Sequence, residues 1–426
     1  MKLTRLGLKI SKSDTNIPKL IAKSTFTTPP NFITKRVDTL RAYKESKEHY
    51  YFPKFIDSEI NYTNELKQSE INVKSTIQLR KGLQETIYNK LLSQLKTIHG
   101  AVLSVPCGVG KTIIGVQSIA DINAKTLILV HKDFLMSQWS ETIEEYLGVI
   151  PGIIKQSDRN VTDITIASIQ TLMNHPDFTK TLLFDYLIVD ECHHIASKEF
   201  SKVLKTLPTT MFTLGLSATP ERADNLQGLF YSFLGPLMKF EVPTQLIEIK
   251  PIVFYSEIEP VYREIRNNIT IDTVSIINSI ANYSKRNEFI VKLIEKNVRK
   301  HREIMVLSER VSQLNELYTM LSKTMKVSRN YSKYREYSDS NNSVVLASYS
   351  MASEGLNITD LDTLILATPI ASKTKLIQSV GRIQRSETKS KIVYDIIDPV
   401  MEYQYYKRKR IYKTFESKID EIVEIQ

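Results

Sequence analysis

Cysteine is nearly absent from this chain of 426 residues: there are two, Cys107 and Cys192. Two cysteines cannot build a disulfide scaffold, and they suit a reducing, intracellular compartment. No apolar run approaches the roughly eighteen residues of a membrane-spanning helix, so no membrane partner is expected. The basic start MKLTRLGLKISKSD is interrupted at Lys9 and does not read as a secretory signal. Low-complexity tracts are lacking, and so are the spaced Cys/His pairs of a zinc site. Acids are in deficit, 47 against 57 lysines and arginines, for a net charge of +10. That balance favours a polyanionic partner, though many basic proteins bind none. Apolar content of 42% and charge content of 24% are ordinary for a globular protein, and the length suits two or three domains.

Residues 1–75 are polar and irregular, broken by TFTTPPNF (Thr25 to Phe32), and read as an N-terminal accessory region. Within them YKESKEHYYFPKF (Tyr43 to Phe55) mixes aromatics with lysines. A short strand with a wet face is one reading; rings that stack on bases, with lysines for phosphates, is the other. From about Gln78 the pattern is regular. Short apolar strands, AVLSV (101–105), TLILV (126–130), ITIAS (164–168), YLIVD (186–190) and FTLGLS (212–217), alternate with helices at 113–122 and 134–146. Strands apolar throughout, separated by helices, mean a parallel sheet covered on both faces. After a less regular stretch a second alternation begins: helix 274–296, strand 303–308, helix 310–323, strands 343–348 and 363–368, helix 374–384, strand 391–397. The expected division is a first lobe over 76–245, a linker over 246–273 and a second lobe over 274–426. RNYSKYREYSDSNN (329–342) reads as a surface loop.

CGVGKT, Cys107 to Thr112, falls between a strand and a helix, where a phosphate-binding loop must sit. Gly108 and Gly110 let the backbone turn its N–H groups on phosphate oxygens, with Cys107 and Val109 completing the loop, and the helix that follows aims its positive end at the same anion. Lys111 would reach the β and γ phosphates of ATP, and Thr112 would hold Mg²⁺. The strict pattern asks for glycine at position 105, where this chain has Val105. A glycine-rich turn without a ligand is the alternative. FDYLIVDECHHIAS, Phe184 to Ser197, supplies the second half: an apolar strand ending in two acids. Asp190 would orient Mg²⁺ and Glu191 would polarise the attacking water. A metal site on Cys192, His193 and His194 is disfavoured, because neighbouring side chains point apart.

SVPCGVGKT and DECHH together resemble superfamily-two helicases and translocases of the XPB-like branch, in which the phosphate loop also lacks its first glycine. The resemblance continues through LILVHKDFLMSQW, IASIQTLM, LGLSATPERADNLQGLFYSFLGP, IMVLSERVSQLNEL, ASYSMASEGLNI and QSVGRIQR, in the family's order, over about residues 76–400. The nearest likeness is to helicases of large DNA viruses and phages, of the poxvirus transcript-release type. It implies an α/β fold of two tandem RecA-like lobes, parallel sheets covered by helices, with a small N-terminal extension. It implies that Arg382 and Arg385 stabilise charge on the transferring phosphoryl group, with Gln378 facing the nucleotide. A solvated basic face is the alternative for those arginines. Gln84, beside Arg80, resembles the family's adenine-sensing glutamine, although LRKGLQ departs from the usual LRxYQ. Ser217, Ala218 and Thr219 would couple hydrolysis to lobe movement. His131, Lys132, Gln170, Thr171, Ser308, Arg310 and Tyr349 to Ser353, with Glu354 in the same motif, match strand-contacting or coupling positions. Asn357 stands where the family has aspartate after EGL.

The implied activity is ATP-dependent translocation with duplex unwinding, in the 3′ to 5′ direction, on DNA in transcription or repair. An RNA helicase, or a nucleotide-gated nucleic-acid-binding switch with little turnover, is the alternative. ATP and Mg²⁺ are the expected cofactors, nucleic acid the expected partner alongside a transcription or repair complex. For a viral chain the host cytoplasm and the virion are the expected places.

Overall fold

The computed structural model describes the chain apart from residues 29–36, 107, 194–199, 219–225, 242–244, 266–267, 335, 337–343, 355–360, 385–389 and 426. For residues 200, 265, 268, 353 and 354 it describes the backbone alone. The chain divides into two compact units, Met1–Val242 and Pro243–Gln426.

The first unit is built on eight strands: β1 (Gly100–Ser104), β2 (Thr126–Val130), β3 (Gly152–Lys155), β4 (Asp158–Arg159), β5 (Ile164–Ser168), β6 (Tyr186–Val189), β7 (Phe212–Ser217) and β8 (Leu237–Lys239). Their order across the sheet is β4-β3-β5-β2-β6-β7-β1-β8. All neighbours are parallel except the β3–β4 hairpin. Alternate residues of one strand feed two apolar layers: Ala101 and Leu103 with Ile128 and Ile188 on one face, Val102 with Leu127, Leu129 and Val189 on the other. Both faces are therefore buried, which is why these strands read as continuous apolar runs. Helices α1 (Leu83–Ile98), α2 (Lys111–Ile122) and α3 (Asp133–Leu147) supply the first layer.

Residues 1–75, read as an accessory region, belong to the same unit. They form a five-stranded sheet that includes Gly7–Ser11 and His49–Phe52. Tyr43, Tyr50 and Phe52 pack on one another with ring centroids 5.6–5.9 Å apart, so these aromatics serve a small core of their own. This module docks on the amino edge of the β-sheet. Thr209 N–H donates to the Arg5 carbonyl at 2.7 Å. Lys54, 4% exposed, donates from Nζ to the carbonyls of His99 and Met211. A Cβ on Gly100 would fall 2.2 Å from the Phe55 ring, so glycine is what lets the module approach there.

The second unit repeats the plan with β9 (Ile247–Phe254), β10 (Ile304–Ser308), β11 (Val327–Asn330), β12 (Val344–Ser348), β13 (Thr363–Leu366), β14 (Lys391–Ile397), β15 (Ser417–Ile419) and β16 (Val423–Ile425). The order is β11-β12-β10-β13-β14-β9-β15, with β16 also on β9, and all pairs are parallel. Thus the stretch expected to link the lobes opens with a sheet strand, β9. Pro251 disguised it, since proline lacks the N–H of a central strand. The structure places Pro251 between the residues that pair with β15 (Ile247 to Ile249) and those that pair with β16 (Ile252 to Phe254), where no partner needs that N–H.

Two further expectations change. The helix read over 274–296 is two, Thr273–Ala281 and Ser284–Val298. Asn287 stabilises the break by donating its side-chain amide to the carbonyl of Ala281 at 2.9 Å. The stretch from Arg329 is not a surface loop at its start. Tyr331 is fully buried with its hydroxyl on Asn315, and the Arg329 guanidinium lies 4.2 Å and 3.8 Å from the Tyr318 and Tyr334 ring centres.

Candidate ATP site and nucleic-acid interface

In a parallel sheet the loops at the carboxyl edge face one way, and that is where the sequence motifs gather. The phosphate loop follows β1; Gly108 and Gly110 have φ of +96° and +90°, a left-handed conformation that glycine adopts without strain. A Cβ on Gly110 would come within 2.6 Å of Gln84 Nε2, so the cradle is closed to a larger residue as well. Lys111 opens α2, and its ammonium lies 3.1 Å from Glu191 Oε1; both side chains are about nine-tenths buried. Thr112 is the next residue of that helix.

Asp190 and Glu191 leave the end of β6. Asp190 accepts the indole N–H of Trp139 at Oδ2, 2.9 Å, and the Glu191 backbone N–H at Oδ1, 3.0 Å. Trp139 is fully buried in α3. Burial first, then the adjacent charge of Glu191, raises the Asp190 pKa, against the opposing pull of Trp139 and Lys111. Glu191 has φ +45°, an uncommon state for a residue with a side chain. The kink turns its successors apart. Cys192 sinks into the second apolar layer, where burial raises its thiol pKa. His193 turns back, with Nδ1 3.0 Å from Ser217 Oγ and 3.4 Å from Glu191 Oε2. His193 thus joins the acidic motif to the end of β7, a link the sequence reading missed because the two residues lie 24 positions apart.

Gln84 and Arg80 hold the phosphate loop from beside it. Gln84 Nε2 donates to the Val109 carbonyl at 2.7 Å and its Oε1 accepts the Arg80 N–H at 2.8 Å. Arg80 Nη2 donates to the carbonyls of Gly108 and Val109 at 2.8 and 2.9 Å. His131, after β2, is buried, and its pKa is lowered first by burial and then by Lys132, with Glu191 and Asp190 opposing. Lys132 occupies the N-cap position of α3. Gln170, after β5, donates its amide to the His131 carbonyl at 2.8 Å, so two strand ends share one loop cluster.

In the second unit Gln378 and Arg382 lie on the helix Lys373–Ile383 and are 2% and 7% exposed. Arg382 Nε donates to the Ala352 carbonyl at 2.6 Å, fixing the guanidinium against the helix Tyr349–Glu354. Arg310 occupies the N-cap position of the helix Val311–Leu321, its N–H on Ser308 Oγ at 3.0 Å and its guanidinium on Asn278. Cys107, His194, Thr219, Asn357 and Arg385 lie outside the described residues, as does the side chain of Glu354.

A glycine turn, a lysine at a helix start and a buried pair of acids could hold an anion beside a cation. Carboxylate and hydroxyl oxygens are hard donors, so Asp190 with Thr112 fits Mg²⁺ rather than a soft metal. Relief of the charge crowding between Asp190 and Glu191 is what such a cation would supply.

Comparison with known proteins agrees with this geometry. The family model described as Type III restriction enzyme, res subunit, matches residues 76–222, and that of the Helicase conserved C-terminal domain matches 285–387. L396 of Acanthamoeba polyphaga mimivirus, whose name describes an ATP-dependent RNA helicase, is 28% identical over 93% of this chain and 81% of its own length. The ATP-dependent DNA helicase uvsW of Enterobacteria phage T4 is 22% identical over 83% of this chain and 77% of its own. The DNA 3'-5' translocase XPB2 of Sulfurisphaera tokodaii is 30% identical over 47% of this chain and 45% of its own. Among solved structures, S. cerevisiae Dbp5 bound to RNA and ADP BeF3 shares the fold, with a TM-score of 0.57 at 12% identity over 80% of this chain and 89% of that one.

Proposed function

We propose that this chain, which belongs to the superfamily-two helicases of the viral type and hydrolyses ATP as they do, is a 3′ to 5′ translocase that acts on DNA. The observation that carries the catalytic part is the Lys111–Glu191 contact at 3.1 Å beneath the phosphate loop. A carboxylate held by an ammonium is a poor base, because the neighbouring charge lowers its proton affinity. Triphosphate oxygens entering the cradle compete for Lys111. Glu191 is then released to take a proton from the attacking water, whose oxygen bonds to the γ-phosphorus as the bond to the ADP oxygen breaks. His193, touching both Glu191 and Ser217, passes the change to the end of β7. Asp190 and Thr112 would hold Mg²⁺, which supplies charge neutralisation for the phosphates. Arg382 and Arg385 are assigned to the transferring phosphoryl group, and their loss should lower turnover rather than strand affinity.

The choice of DNA and of direction is supported by the names of the phage and archaeal relatives, DNA helicase and DNA 3'-5' translocase. An RNA substrate is favoured by the mimivirus relative's name. The deciding experiment is ATP hydrolysis with single-stranded DNA, duplex DNA and RNA of one sequence. Stimulation by DNA several-fold above that by RNA supports the proposal; equal or greater stimulation by RNA overturns the choice of DNA. A role in transcription or repair is the setting we assign to the activity.

A further inference from the structure

The motifs above crowd the carboxyl edge of the first sheet, yet a second cationic cluster lies at its amino edge. There the N-terminal module meets the helices Pro176–Thr181 and Phe200–Thr206. They enclose a cleft of about 460 Å³ lined by Arg5, Lys44, Lys180 and Lys205 over the apolar side chains of Leu6 and Leu183, with no carboxylate among the described residues of its wall. Arg5 is pinned to Asp185, and Lys180 shares its charge with Asp177. Among the described residues Lys44 and Lys205 have no acidic partner. Their pKa values fall accordingly: that of Lys44 by burial and then by Lys205 and Lys180, that of Lys205 by burial and then by Arg41. Folding has brought Lys44 and Lys205 into a cationic cleft with no acid of their own among the described residues, which marks a place for an anion. Leu6 and Leu183 are 53% and 61% exposed, an apolar floor that suits a base or sugar and not a bare inorganic ion.

We propose that this cleft is a second nucleic-acid contact, in which Lys44 and Lys205 bind backbone phosphates and Leu6 and Leu183 support the adjoining nucleoside. It rests on the reading of the chain as a nucleic-acid-stimulated ATPase. The cleft is separated from the phosphate loop by the length of a five-residue strand, about 17 Å. It can therefore hold a strand segment that does not enter the carboxyl-edge loops.

The test uses the full chain in two measurements. First, binding of a fluorescent single-stranded oligonucleotide is followed from 50 to 200 mM salt for the wild type, for Lys44→Gln/Lys205→Gln, and for Lys67→Gln/Lys300→Gln, which removes the same charge elsewhere. At about 0.7 per neutralised phosphate, the cleft variant should lose roughly 1.4 from the slope of log K against log salt, and the control should lose little. Second, lysine acetylation of the unaltered protein is mapped by mass spectrometry with strand, with inorganic phosphate at the same phosphate concentration, and with neither. Strand should protect Lys44 and Lys205 several-fold; phosphate should not. Equal slopes for the two variants, together with acetylation that strand leaves unchanged, overturn the cleft while leaving the helicase assignment intact. Protection by phosphate equal to that by strand overturns the nucleic-acid identity in favour of a free anion. Absence of any strand binding or strand-stimulated hydrolysis in the wild type is a different failure, that of the reading on which the inference rests.

Discussion

Trp139→Phe separates the indole's bond to Asp190 from its bulk. The chain has one tryptophan, and it is fully buried with its N–H on a carboxylate that is only 6% exposed. A hydrogen bond to a charged group contributes roughly 1.5–3 kcal/mol, and deleting one partner leaves the other unsatisfied. Shrinking indole to phenyl also withdraws about 40 Å² of apolar contact, roughly 1 kcal/mol. The ring packs on Gly115, where a Cβ would stand 2.5 Å from it, so the backbone there has little slack to close over the gap. The sum is about 3 kcal/mol, a large part of the roughly 5–15 kcal/mol that holds a domain folded. Asp190, freed to turn, should also lose its bearing on the phosphate loop, and turnover should fall with it. Urea unfolding followed by circular dichroism, and kcat at saturating ATP and strand, read the two effects. If the variant unfolds within about 0.5 kcal/mol of the wild type and keeps its kcat, the indole is ordinary core and the reasoning fails.

Lys54 makes stability depend on pH in a defined direction. Burial lowers its pKa from 10.5 to about 7. Between those values the unfolded chain binds a proton that the folded chain does not, so its contribution to stability rises with pH across that window, by at most about 5 kcal/mol. Lys54→Met should abolish that part of the rise in urea midpoints between pH 7 and 9.5; an undiminished rise removes Lys54 as its source. In the second unit Arg286 and Asp398 form a fully buried two-point pair at 2.7 and 2.9 Å. Arg286→Met should destabilise by about 3–5 kcal/mol, and Arg286→Met/Asp398→Leu by less, because the orphaned carboxylate is the costly species. Thermal or urea unfolding of both variants checks the order, and a double variant less stable than the single contradicts it.

The strands that lie in the middle of each sheet were legible in the sequence because both their faces are buried: Thr126–Val130, Ile164–Ser168 and Phe212–Ser217 have the bounds their apolar runs imply. Ile247–Phe254 was not, since Pro251 and alternating charged residues hide a strand whose partners change midway. Asn282 and Tyr283 carry no breaking signal; the helix divides there through a side chain, Asn287, that reaches back from the next helix. Within the site the motif residues could be named from their order, because a phosphate loop and an acidic strand end are local patterns. Trp139 and His193 could not. Their roles rest on contacts with Asp190 and Ser217 that only the folded sheet creates. The N-terminal module was hidden for the same reason: residues 1–75 read as polar and irregular, whereas Lys54 and Arg5 bond to carbonyls at the foot of the sheet.

The account stands on Glu191 being the base that Lys111 restrains until nucleotide arrives. The measurement is strand-stimulated ATP hydrolysis by Glu191→Gln beside the wild type, with ATP binding determined on the same samples. Glutamine preserves shape and removes the base, so binding should persist while turnover falls by more than about a hundredfold. Turnover within about threefold of the wild type, well short of what loss of a general base removes, would contradict it.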